Sequence, residues 1–151
     1  MSTRRNFIQI TAAGLLAPAH AAHACLAGEI GITTGSFMRH LSVEKTPGKL
    51  RLLDLPQIMR DELDMRVIDL MTATLVSMKN DYLDELRATA DKHGCLLTNL
   101  KMNQHGLDIA SADPATKEAA MREYNRTIDA AARLGCRWVR PLPPKDTQDP
   151  A

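Results

Sequence analysis

From Glu29 onward, short apolar runs alternate with longer segments of helical periodicity. The apolar runs predict strands at residues 29–37, 65–71, 95–102 and 136–142. The segments between them predict helices at residues 53–63, 80–94 and 113–135. Because each strand follows its predecessor by way of a helix, the strands are expected to pair in parallel with right-handed crossovers. The pattern therefore predicts an α/β fold.

Residues typical of helix ends bound the three helical segments. The expected N-caps are Asp54, either Asn80 or Asp81, and Asp113. Each of the last two helices is expected to stop at a glycine, Gly94 or Gly135.

Residues 1–24 have a different character from the rest of the chain. Arg4 and Arg5 open a weakly apolar stretch that ends in small residues, and no acidic residue precedes Glu29. This layout is typical of an export signal, and the run T-R-R-N-F-I resembles the twin-arginine signal, which exports already folded proteins. We expect residues 1–24 to be a signal peptide and the mature protein to be periplasmic or secreted. A lipid anchor on Cys25 is disfavoured, because Ala22 stands where Leu is usual.

Composition limits the class of protein. The 151 residues suit one domain at most, and 44% of them are hydrophobic, enough for a core. The formal net charge of +1 gives no reason to expect a nucleic-acid partner. No apolar run reaches the roughly 18 residues that a stable membrane span needs. The polar residues 143–151 are expected to form a disordered tail.

Six segments, taken in order, resemble the sugar phosphate isomerase/epimerase family of xylose isomerase-like TIM barrels. They are GITTGSF, LRLLDLPQIMRDEL, MRVIDL, a helix ending ADKHG, CLLTNLKMN and a helix ending IDAAARLGCRWVR. The resemblance covers roughly residues 29–142. It implies about half of a TIM barrel, with four strands and three helices, because a full barrel of eight strands typically needs about 250 residues.

The resemblance also implies a chemistry. Full-length members of the family hold a divalent metal with Glu, Asp, His and Glu at the ends of strands five to eight, which this sequence does not reach. We therefore expect no cofactor in this chain, which would be a truncated, inactive isomerase or epimerase or would need a missing C-terminal half. The alternative is a non-catalytic half-barrel that dimerises and binds a small polyol or a partner protein. A DNA-repair endonuclease of the same superfamily is disfavoured by the balanced charge and the export signal.

In such a barrel the functional residues lie at the C-terminal ends of the strands and in the loops that follow. The expected substrate-binding residues are Ser36, Phe37, Asp69, Asn99, Lys101 and Arg140. Asp69 interrupts an apolar strand, where a carboxylate is costly unless it is partnered. It is expected either to contact substrate or to hydrogen-bond to neighbouring strands. For Lys101 the alternative is a surface lysine whose stem covers apolar neighbours.

The uncovered face of a half-barrel predicts self-association. Ile32, Val67, Leu97 and Val139 are expected on this inner face. Each such side chain that stays in water loses on the order of 1.5–3 kcal/mol of stabilisation that burial would provide.

Overall fold

The computed structural model describes residues 26–103 and 107–141; the predicted signal peptide and the predicted disordered tail lie outside these residues. Within them the chain forms strands β1 (Gly31–Thr33), β2 (Val67–Met71), β3 (Leu96–Lys101) and β4 (Trp138–Arg140). The helices are α1 (Leu55–Asp61), α2 (Asn80–Lys92) and α3 (Pro114–Leu134). All strand pairs are parallel, in the order β1-β2-β3-β4. The predicted parallel α/β fold is confirmed.

β1 is shorter than the sequence predicts. The strand ends at Thr33, and residues Thr34–His40 form a 3-10 helix instead. The cause is a set of tertiary hydrogen bonds at Thr34, which is fully buried. Its hydroxyl accepts from the backbone N–H of Met71 at 3.0 Å and shares a hydrogen bond with the hydroxyl of Thr74 at 2.8 Å.

α3 begins and ends where the sequence predicts. Asp113 is its N-cap, and the carboxylate accepts from the backbone N–H of Thr116 at 2.9 Å. Pro114 occupies the first turn, and Gly135 ends the helix in the left-handed conformation with φ 75°. The left-handed conformation is costly for residues that have a Cβ atom, which explains why the helix ends at a glycine.

The N-caps of the other two helices differ from the prediction. Asp54 holds the N-cap position of α1, but its carboxylate binds the side chain of Arg51 rather than the helix N–H groups. α2 has Lys79 at its N-cap, so the expectation of Asn80 or Asp81 was wrong.

The hydrophobic core lies between the three helices and one face of the sheet. It combines side chains from all three helices with the buried residues of β2 and β3, including Met59, Ile68, Leu86, Leu100 and Leu134. In the described part of the chain, no helix is long and apolar enough to cross a membrane.

A bulge in β3 decides which residues face the core. Ile68 is level with Leu97, whereas Asp69 is level with Asn99, so Thr98 is an extra residue in β3. Leu97 therefore shares the core face with Ile68.

Strand register, and for Leu97 the bulge, overturn most of the expected apolar inner face: Ile32 is level with Ile68 and Val139 is level with Leu100, both of which are core residues. Leu97 belongs to the core, and Ile32 and Val139 pack against it. Of the four residues expected on the uncovered face, only Val67 is placed there, on the opposite side of β2 from Ile68. The uncovered face is consequently more polar than predicted.

Candidate functional site

The uncovered side of the sheet, here called the open face, carries two rows of side chains across neighbouring strands. Thr33, Asp69, Asn99 and Trp138 are level with one another and form the middle row. Met71, Lys101 and Arg140 form the upper row, at the C-terminal ends of the strands. Neighbours within a row are about 4.8 Å apart, the spacing of paired strands.

Asp69 is the centre of the middle row. Its Oδ1 accepts a hydrogen bond from Thr98 Oγ1 at 2.9 Å, and its Oδ2 accepts one from Asn99 Nδ2 at 3.3 Å. These bonds partner a carboxylate that would otherwise be costly in an apolar strand. The hydrogen-bonding role that the sequence allows for Asp69 is therefore present in the fold.

Asn99 is held in one orientation by Asp69. Its side-chain N–H₂ group must face the carboxylate, because a flipped amide would bring two acceptor oxygens together. This leaves Asn99 Oδ1, which is buried and has no hydrogen-bond partner among the described residues. The open face thus contains an acceptor that lacks a donor.

Cys136 lies close enough to Asp69 for the carboxylate to affect its thiol. Burial first, and the negative charge of Asp69 second, raise the pKa of Cys136 to about 12. The thiol is therefore protonated at neutral pH and a poor nucleophile.

The upper row places two cationic side chains on neighbouring strands. Lys101 is half-buried and Arg140 is exposed, and their Cα atoms are paired between β3 and β4. Adjacent cations at the C-terminal edge suit a ligand rich in oxygen atoms or one that carries a negative charge.

Threonine hydroxyls tie together the segments that follow the first three strands. Thr34, after β1, bonds to Thr74 and to the N–H of Met71, and Thr74 donates to the carbonyl of Met71 at 2.7 Å. Thr72, after β2, accepts from the backbone N–H of Asn103 at 3.0 Å. The upper edge of the open face is therefore held by hydrogen bonds between strands.

The six substrate-binding residues predicted from sequence fall into separate groups. Asp69 and Asn99 are hydrogen-bonded, and Lys101 and Arg140 are neighbours one row above. Ser36 and Phe37 lie apart from them, in the 3-10 helix after β1. Since β1 and β4 are separated by three strand spacings, up to about 14 Å, one small sugar cannot bridge both ends.

Sequence analysis missed Trp138. This residue, the one tryptophan in the chain, is next to Asn99 in the middle row and 48% exposed. The guanidinium of Arg137 lies 4.8 Å from the ring centroid. The sequence did contain a signal for Trp138: it is two residues before Arg140, and residues two apart in a strand share a face.

Potential metal ligands do not gather in groups of three or more in the part of the chain that the structure describes. Residues 26–103 and 107–141 contain no group of three or more His, Cys, Asp or Glu side chains that could hold a metal ion. On the open face Asp69 has both oxygens engaged in hydrogen bonds. A divalent ion needs several converging ligands, which this row does not present.

A groove of about 510 Å³ lies on the other side of the molecule, between α2 and α3. Arg122 and Arg133 line it, and each is ion-paired, with Glu118 at 2.6 Å and Asp84 at 2.5 Å. The pair between Arg133 and Asp84 joins α3 to α2, whereas the pair between Arg122 and Glu118 lies within α3. Both arginines already have partners, so the open face is the better candidate for function.

No family model and no curated protein matches this sequence. The fold is similar to a solved structure described as a crystal structure of D-psicose 3-epimerase in the presence of D-fructose, with a TM-score of 0.54 and 19% sequence identity. The match covers 74% of this chain and 36% of the epimerase chain, so this chain spans about a third of that protein's length. This likeness shows the fold: the chain has the parallel α/β arrangement of part of a TIM barrel, as the sequence predicts.

Proposed function

We propose that this chain is an exported half-barrel of the sugar isomerase or epimerase-like type and that its open face binds a small sugar or polyol. The observation that carries this proposal is the placement of Asp69, Asn99, Lys101 and Arg140 together on that face. The fold similarity to a sugar epimerase supports the class of ligand.

Each polar group has a defined role in this proposal. The carboxylate of Asp69 retains lone pairs that accept hydrogen bonds from ligand hydroxyl groups. Lys101 and Arg140 donate to ligand oxygens, or to the phosphate of a phosphorylated sugar. Ser36 and Phe37 follow β1, at the opposite end of the sheet from Arg140. They contact only a ligand that lies over β1 and β2.

Isothermal titration calorimetry with D-fructose, D-psicose, inositols and phosphorylated ketoses tests the proposal. The purified chain is expected to bind at least one of them. Lys101→Met and Arg140→Met are each expected to weaken binding by about tenfold to a hundredfold, the effect of losing a charged hydrogen bond of about 1.5–3 kcal/mol. Lys117→Met, on the exposed side of α3, is the matched control. Failure to bind any of these compounds, or binding that both substitutions leave unchanged, would overturn the proposal.

We also propose that the chain alone does not isomerise sugars. Moving a proton or hydride next to a carbonyl needs a Lewis acid and a carboxylate positioned as base. Among the described residues of the open face, Asp69 is the one acid, and its oxygens already accept bonds from Thr98 and Asn99. Assays with added Mn²⁺, Mg²⁺, Co²⁺ or Zn²⁺ are expected to show no turnover. Metal-stimulated turnover that is lost in Asp69→Asn would contradict this.

A further inference from the structure

The sheet has two outer edges, formed by β1 and β4. Within the described part of the chain, neither strand has a second neighbour in the sheet. The outer backbone groups of an edge strand are a template for pairing with another chain, and proteins usually cover or charge such edges. Both edges here are short, and both belong to a sheet whose open face is uncovered.

The two edges have complementary chemistry. Glu29 and exposed Ile30 precede β1, whereas exposed Arg137 precedes Trp138 in β4. The carboxylate of Glu29 is ion-paired with Arg66 of the same chain and its side chain remains 27% exposed, so it can also meet a cation from outside. Ile30 is 69% exposed and Trp138 is 48% exposed. If β4 lies parallel to β1 of another molecule, the acidic end of one edge meets the basic end of the other. The two exposed apolar residues then lie at the same end of the contact.

We propose that two copies of this chain associate about a two-fold axis, with β4 of each copy paired in parallel with β1 of the other. The contact between Glu29 of one copy and Arg137 of the other occurs twice, as two-fold symmetry requires. The four strands that the structure describes in each copy give eight, the number for which the interior of a closed barrel is just filled by side chains. This proposal does not depend on sugar binding.

Closure also accounts for a side chain that a single copy leaves exposed. It turns the middle row of the open face inward, so that the half-exposed ring of Trp138 is covered. The occupant inferred here is a second copy of this chain rather than a different protein.

Charge reversal at the two edges tests the proposal in sedimentation equilibrium. The purified protein is expected to dimerise, and Glu29→Arg and Arg137→Glu are each expected to weaken dimerisation at least tenfold. Mixing the two variants is expected to restore a heterodimer, because both of its contacts are again between unlike charges. The double variant is expected to dimerise alone. The double variant also lacks the ion pair between Glu29 and Arg66 of the same chain. If it nevertheless dimerises, the weak dimerisation of Glu29→Arg comes from the contact between copies and not from loss of that ion pair. Glu62→Arg, the same charge change away from both edges, is the control.

The single tryptophan gives an independent measurement. Quenching of Trp138 fluorescence by acrylamide is expected to fall as protein concentration rises through the dimer range, and to stay high in each single variant. The proposal is overturned by a monomer at all concentrations, or by a dimer that both charge reversals leave intact. A dimer with an accessible Trp138 would overturn it as well, as would a chain that stays monomeric but binds a separate polypeptide of four βα units.

Discussion

Asp69 places a carboxylate in the middle of β2, where Thr98 and Asn99 donate to its two oxygens. Replacing it with Asn keeps the size of the side chain but turns one acceptor into a donor. One of the two neighbouring donors then faces an N–H₂ group.

Asp69→Asn is therefore expected to lower the free energy of unfolding by about 1–3 kcal/mol, the cost of an unsatisfied buried polar group. Urea unfolding followed by circular dichroism measures the change. Glu62→Gln, an exposed substitution of the same type, is expected to stay within about 0.5 kcal/mol of the unmodified protein. An unchanged unfolding midpoint for Asp69→Asn would show that these bonds contribute nothing.

The sequence indicated Asp69 and missed Trp138 for a physical reason. A single acid inside an apolar run is visible in the sequence, since burying it requires partners. For Trp138 the sequence offered only its spacing from Arg140, and its level relative to Asn99 is set by pairing between β3 and β4. Leu97 was assigned to the wrong face because the extra residue Thr98 shifts the pairing. Such a bulge depends on contacts between strands and leaves no local signal.

At the scale of elements, β1 approaches β2 closely at a glycine, Gly31. A Cβ atom added to Gly31 would lie 2.7 Å from Cβ and Cγ1 of Val67 and 2.9 Å from its carbonyl oxygen. These atoms belong to the backbone or lie next to it, so they cannot move without shifting a strand.

Gly31→Ala is expected to destabilise the protein by about 1–3 kcal/mol, the range for overpacking. Gly35→Ala is the matched control, because its added Cβ would meet the terminal methyl of Met71 at 2.7 Å, and that side chain is flexible. Thermal unfolding of both variants measures the difference. Equal losses at the two positions would mean that Val67 moves as easily as Met71.

The N-cap of α3 predicts a pH dependence. Hydrogen bonds from Thr116 hold the pKa of Asp113 below its ordinary value of 3.8. A lowered pKa contributes stability that is complete above the ordinary pKa and is lost as the pH falls through the folded-state value. Asp113→Asn keeps the capping group but does not titrate. The difference in unfolding free energy between the two proteins is expected to be constant between about pH 6 and 8 and to narrow below about pH 4. A difference that persists unchanged in acid would contradict this.

Helix ends were predicted well where the signals are local and poorly where they are not. The helix signals of α3 act through backbone groups a few residues away, and the helix begins and ends where Asp113, Pro114 and Gly135 predict. At α2 the chain enters the helix through Lys79, whose backbone N–H is bound by the Ser77 hydroxyl at 3.0 Å. This turn at Ser77 places the N-cap at Lys79, so Asn80 and Asp81 lie inside the helix.

At the scale of the whole molecule, the order of elements sufficed to predict a parallel α/β sheet, because a helix between successive strands leaves few other topologies. The polarity of the open face was not predicted, since it follows from the register between strands and from the bulge in β3. The export signal lies outside the described residues and stays a prediction.

Replacing both Arg4 and Arg5 with Lys is expected to reduce export of the folded protein strongly. The measurement is the amount of mature protein in the periplasm or culture fluid after a pulse of synthesis. Substituting Asn6 by Gln, next to the pair, is the control and is expected to leave export unchanged. Rapid export of the Lys-Lys variant would rule out the twin-arginine route.

The hydrogen bonds of Thr34, Thr72 and Thr74 have a consequence for how this scaffold can change. In many enzymes the loop after one strand can be exchanged without disturbing the next, and new specificities arise that way. Here Thr34 and Thr74 bind each other across two loops, while Thr72 binds the backbone of a third at Asn103. Replacing one of these loops alone would leave hydroxyl and backbone groups in the other two without their hydrogen-bond partners. Laboratory evolution of this edge should therefore succeed only with libraries that vary the three loops as a block.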